Sequence, residues 1–194
     1  MSPILESIGS VKGFGWGALL ASSSFESIAS ATGTGSSGTI TFSSIPQTYT
    51  HLQIRGIARD VGSLSAASDV AVNYNGITTS TYFNHRLIGN GTSASAGGNA
   101  SNGGIGGAII SAGNSMTANA YAVFILDILD YTSTTKTKTL RSFTGIDTNS
   151  GSTSNFVRLS SGSSTATTAI TSISFTNATN NFNTTTSFAL YGIK

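Results

Sequence analysis

The residues able to do chemistry are few in this sequence: two histidines, seven acidic residues and no cysteine among 194 positions. Without cysteine there are no disulfides, thiolate metal sites or cysteine nucleophiles. His51 and His85 each fall in an alternating segment, so each side chain has a definite face. Histidines on neighbouring strands could hold a metal if a carboxylate joined them. Only residue type favours that here, and structural histidines with no metal are expected. Asp127 and Asp130 bracket Ile128 and Leu129, and paired carboxylates can serve acid–base or glycosidic chemistry. The plainer expectation is that Asp130, with Tyr131 and Ser133, forms the turn that closes a strand. Asp127, if it points inward, needs a partner such as Arg141 or Arg158, because a lone buried charge is costly.

Gly33, Gly35 and Gly38 formally match a dinucleotide-binding glycine pattern. That mechanism requires a strand before the glycines and a helix after them. Here a Ser-rich stretch precedes them and a strand follows. No nucleophile elbow, phosphate loop, zinc-protease helix or EF-hand spacing occurs, and a serine without an organised base is inert. No catalytic residue, enzymatic activity or cofactor is therefore expected.

Charged residues make up 8% of the chain, against roughly 25% in an average soluble domain. Ser, Thr, Gly and Asn take their place, so the surface must be mostly hydroxyl, amide and backbone. The net charge of +2 rests on nine scattered cations. The closest group, Lys136, Lys138 and Arg141, is expected on a solvated strand face, and no nucleic-acid partner is implied. The longest apolar run, Tyr121–Leu126, is far short of the ~20 residues of a membrane helix, so membrane insertion is not expected. The N-terminus lacks the basic and apolar regions of a secretory signal. Assembly into a particle released by lysis would be another way out of a cell.

These residues must be positioned by strands. From Gly38 onward, short alternating runs are followed by clusters of Gly, Asn, Ser or Thr, the pattern of sandwiches and barrels. Ile40 and Phe42 share one face, as do Leu52, Ile54, Gly56 and Ala58. Val70–Tyr74 leads into Asn75-Gly76, a tight-hairpin dipeptide, with Tyr82–Ile88 as the expected partner strand. Ala120–Leu129 is nearly continuously apolar, as in a central strand covered on both sides; a helix is the competing reading, and the β-branched and aromatic content favours the strand. Roughly nine or ten strands result. The fold expected is all-β, an antiparallel, jelly-roll-like β-sandwich over residues 38–194.

Two stretches break the pattern. Residues 1–37 carry Phe14 and Trp16 among glycines, then Leu19 and Leu20. Bends and aromatic burial suit an irregular docking arm, with a plain N-terminal strand or short helix as the alternative. The stretch 89–107 is almost wholly Gly, Asn, Ser and Ala and is expected as a long loop.

The order GTITFSSIPQTYTHLQIRGIARD, VAVNYNG, HRLIGNGTSASAG, FILDILDYTSTTKTKTLRSFTGID, AITSISFTNATNNF and SFALYGIK resembles a group of virion proteins of tailed bacteriophages, described as tail-fibre-like or structural. The resemblance covers about four-fifths of the chain, and its motifs are scaffold motifs. It implies a virion protein made in the host cytoplasm, assembled as a homotrimer and bound to other tail or capsid proteins. As a tail-associated fibre or adhesin module, it would attach through Phe14, Trp16, Leu19 and Leu20. Tyr82 and Phe83 would then meet a host-surface glycan or receptor. As a capsid decoration protein, it would clamp head subunits. A glycan-cleaving spike stands third.

Overall fold

A computed structural model describes residues 24–79, 82–101, 103–148 and 155–194, and among these there is no helix. The strands are β1 (Phe25–Thr32), β2 (Thr39–Phe42), β3 (His51–Ala58), β4 (Ser68–Tyr74), β5 (Tyr82–Gly89) and β6 (Ala94–Ser101). They continue as β7 (Ile105–Ser111), β8 (Ala122–Ile128), β9 (Lys138–Ile146), β10 (Phe156–Ser164), β11 (Ile173–Asn177) and β12 (Ser187–Ile193). They form an antiparallel β-sandwich, as expected. The large sheet has the order β1-β12-β3-β8-β9-β10-β5-β6, and the small one β2-β11-β4-β7. The chain crosses repeatedly between the two sheets.

The core follows from alternation, since successive strand side chains point to opposite faces. Leu52, Ile54, Phe124, Leu126, Phe188 and Leu190 point inward from the large sheet and meet Ile40, Phe42, Val72 and Phe175 of the small one. Phe188 is the hub: its ring lies edge-on to Phe124 at 4.9 Å, Phe175 at 5.0 Å and Phe182 at 5.7 Å. Edge-to-face rings at these separations add stabilisation beyond simple burial. Gly56 makes room for them, because a Cβ there would stand 2.6 Å from the Phe188 ring.

Several expectations are corrected. The stretch 1–37 was expected to lie outside the sandwich, but Phe25–Thr32 is the edge strand β1, paired with β12. Over these residues the alternative reading, a plain N-terminal strand, is the one the fold adopts. Residues 89–107 are no long loop: Ala94–Ser101 pairs with β5 along its whole length. Side chains there are too small to signal a period, yet backbone hydrogen bonds do not need them.

Asn75 and Gly76 do take left-handed φ values of 54° and 67°, and the Ile77 amide donates to the Tyr74 carbonyl. The turn forms as expected, but it joins no hairpin. β4 pairs with β11 and β7, and β5 pairs with β10 and β6 in the other sheet. A turn sets the local reversal, and burial decides which sheet receives the next strand.

Candidate interaction surface

The carboxylates singled out in the sequence do not converge. Asp127 lies on the outer face of β8, where it accepts hydrogen bonds from Arg141 Nε at 3.1 Å and Gln53 Nε2 at 2.7 Å. Arg141 is thus the expected partner, on the outward side. Arg158 instead pairs with Asp69 at 2.6 Å, and Arg86 reaches the same carboxylate at 3.1 Å. Asp130 sits at φ 48° in the turn after β8 and pairs with Lys136 at 2.6 Å. The hydrogen bond from Lys136 lowers its pKa from the ordinary range. His51 Nδ1 accepts from the Asp130 amide at 3.1 Å. His85 is on β5, four strands away in the sheet order, so the two histidines share no site. Among the described residues no group of three His, Cys, Asp or Glu is placed to hold a metal ion.

Two buried cations were missed. Lys138 was expected on a solvated face, but it is 1% exposed. Its ammonium donates to the carbonyls of Ser133, Lys136 and Thr167, and desolvation lowers its pKa. The alternation of β9 turns residue 138 inward and leaves Arg141 outside. Arg59 is likewise buried and gives its guanidinium to the carbonyls of Asn114, Met116, Thr117 and Ala120. Neither has an anionic partner among these bonds; each replaces water for a bundle of backbone acceptors. Asp60, fully buried, accepts from the Gly62 amide, Ser68 Oγ and Asn177 Nδ2, and desolvation raises its pKa.

Tyr82 and Phe83 part company. Tyr82 is fully buried, and its hydroxyl accepts from the Tyr74 amide at 3.0 Å and donates to the Ile77 carbonyl at 3.1 Å. It is no surface contact, because adjacent residues of one strand cannot share a face. Phe83 is exposed on the outer face of the large sheet. Phe14, Trp16, Leu19 and Leu20 lie outside the described residues.

The most unusual surface is that same outer face. Val123, Phe143, Val157, Leu159 and Leu87 are each 51–54% exposed, although they stand on adjacent strands. The register arranges them in two rows across the sheet. One is a ridge: Leu87, Leu159, Phe143 and Ile125 lie side by side on β5, β10, β9 and β8. The next row alternates gap and knob: Gly89, Val157, Gly145, Val123, and then Ile57 on β3. Its bare glycines leave a trough of about 640 Å³ bounded by Val123, Phe143, Phe156 and Val157. Beyond the ridge runs a polar row with His85, Ser161, Arg141, Asp127 and Gln53. Past Ile125 the ridge row continues to Arg55 on β3, whose guanidinium lies over the rings of Phe25 at 5.7 Å and Tyr191 at 5.9 Å. Beyond the trough, Asp147 and Tyr121 continue β9 and β8.

The near-continuous apolar run 120–129 therefore has a different explanation from the one expected. β8 is covered on one side only; Val123 faces outward with nothing over it among the described residues. The signal for this face lay in three strands whose outward positions are apolar: Val123 and Ile125, Phe143, and Val157 and Leu159. In comparisons with known proteins, the chain matches no protein-family model and no curated protein.

Proposed function

We propose that the protein is a non-enzymatic structural component of a bacteriophage particle, a tail-associated fibre or adhesin module serving assembly and host-surface attachment. The observation that carries this reading is the outer face of the large sheet, an exposed apolar band with a polar border and, among the described residues, no convergent acid, base or nucleophile on it. Soluble monomers seldom expose apolar patches beyond a few hundred Å², and larger ones mark contact sites. The resemblance of the segments from Gly38 to the C-terminus to phage virion proteins supports the same reading. So does the low charge, which lets such surfaces meet without repulsion. In this role Phe14, Trp16, Leu19 and Leu20 anchor the chain to the particle, and Phe83 is available to a glycan.

The test is location. Antibody-labelled protein on intact phage particles is expected at the tail. Label on the heads would replace this role with capsid decoration, and no label on any particle would end the reading. Full-length protein with Phe14, Trp16, Leu19 and Leu20 all changed to Ser is expected to fold and to fail to incorporate. Full incorporation would remove the docking role of that segment.

A further inference from the structure

We infer that the outer face of the large sheet is the self-association surface of this protein, where two copies stack face to face about a two-fold axis. This rests on the structural role proposed above and names the partner at that face: a second copy of the chain.

The geometry favours a copy over any other occupant because the face is complementary to itself. A two-fold axis running along the rows, midway between ridge and trough, leaves position across the sheet unchanged and exchanges the two rows. The ridge of one copy (Leu87, Leu159, Phe143) then lies over the trough of the other (Gly89, Val157, Gly145), and the reverse holds by symmetry. Stacked sheets pack about 10 Å apart with interdigitating side chains: Leu87 and Phe143 then face the gaps at Gly89 and Gly145, while Leu159 meets Val157 side chain to side chain. An isologous contact of this kind requires each patch to match itself. A three-fold axis would instead set the face against a different surface, so this match favours two copies over the three implied by the resemblance.

Charge agrees with the same axis. It exchanges the row beyond the ridge with the row beyond the trough, bringing Arg141, within β9 and paired in its own copy with Asp127, over Asp147 of the facing copy, one residue past the end of β9. The Arg141 side chain is 70% exposed, and Asp147 is exposed too. The pair would form a charged rim around an apolar centre, the usual anatomy of an interface.

Area agrees as well. Leu87, Val123, Phe143, Val157 and Leu159, each close to half exposed, with Ile57 at 38%, leave on the order of 500 Å² of apolar surface. A standard interface of roughly 800 Å² per partner would add the polar rows on either side of this apolar centre.

The experiment is light scattering on the full-length protein. A mass twice 19.7 kDa is expected. Leu159→Asp and Gly145→Glu should each weaken association by ~100-fold or more, since an unpaired charge would be buried. Gly145→Glu is the cleaner variant, because a Cβ there meets nothing closer than Val157 at 3.5 Å. An unchanged far-ultraviolet spectrum and melting temperature would establish that it folds. Arg141→Asp and Asp147→Arg should each weaken the dimer, and the two together should restore it.

A monomeric or trimeric wild type overturns the inference, as does a dimer that survives Gly145→Glu with its affinity intact. A monomer in which nuclear Overhauser contacts run from Phe143 and Leu159 to residues 1–23 would assign the face to that segment instead, which also overturns it. Location on particles is read separately: a monomer found on tails refutes this interface and leaves the structural role standing, whereas a dimer absent from particles does the opposite.

Discussion

The two faces of the large sheet are built by the same strands and carry the same kind of residue, yet they end in opposite environments. On the inner face Leu52, Ile54, Leu126, Phe188 and Leu190 are fully buried. On the outer face Val123, Phe143, Val157 and Leu159, drawn from some of the same strands, stand half in water. Strand alternation assigns each residue to a face; it does not supply the layer that covers the face. The small sheet covers one side, and the outer side carries apolar side chains with no second layer among the described residues. Hydrophobic sequence on both faces of a strand thus marks two contacts, only one of which need be made within the chain.

Substitutions should separate the faces sharply. The largest effect is expected inside: Phe188→Ala removes the hub of the aromatic cluster and should cost about 3–5 kcal/mol in urea unfolding. A cost below about 1 kcal/mol would show that the inner layers are loosely packed and that the contrast between faces is weaker than their burial indicates.

Next comes charge on the inner side. Lys138→Met keeps the length of the side chain but removes the donors to three carbonyls. It should cost about 1–3 kcal/mol, the penalty of leaving buried acceptors unpaired. If the change were neutral, water must reach those carbonyls, and the inner end of β9 would be wetter than its burial indicates.

On the outer face Val123→Thr should move the stability of a single copy by no more than about 0.5 kcal/mol, as surface positions do. A loss above about 2 kcal/mol, measured on dilute monomeric protein, would mean that the face is covered within one copy.

The smallest effect concerns pH. Burial raises the Asp60 pKa above its ordinary value of 3.8. Between the unfolded and the folded values the native protein binds more protons than the unfolded chain, so stability falls as pH rises through that window and then levels off. Asp60→Asn should remove this part of the slope in urea titrations at a series of pH values. A slope unchanged by the substitution would assign the pH dependence to other carboxylates.

Much of this was legible from residue order. Ile40 and Phe42, and Leu52 and Ile54, declare inward positions by a period of two, and Asn75-Gly76 declares its turn because few other dipeptides accept two left-handed residues. The strand β6 was illegible for a physical reason: Ser, Ala and Gly stabilise no face, so only the hydrogen-bonded neighbour reveals it. Tyr82, expected beside Phe83 as a surface contact, is buried, because alternation within β5 turns the two aromatics to opposite faces and the Tyr82 hydroxyl satisfies the Tyr74 amide and the Ile77 carbonyl. The ridge and trough could not be read either, since Leu87, Phe143 and Leu159 are far apart in the chain and become a row only through register.

Local sequence alone determined that the chain forms strands, where most of them turn, and which side chains share a face, because these depend on backbone sterics and alternation within a few residues. Tertiary structure decided which sheet each strand joins, which cations are buried and which apolar face is left open. Those outcomes depend on distant segments competing to cover the same surface, and no short stretch of sequence contains its competitor.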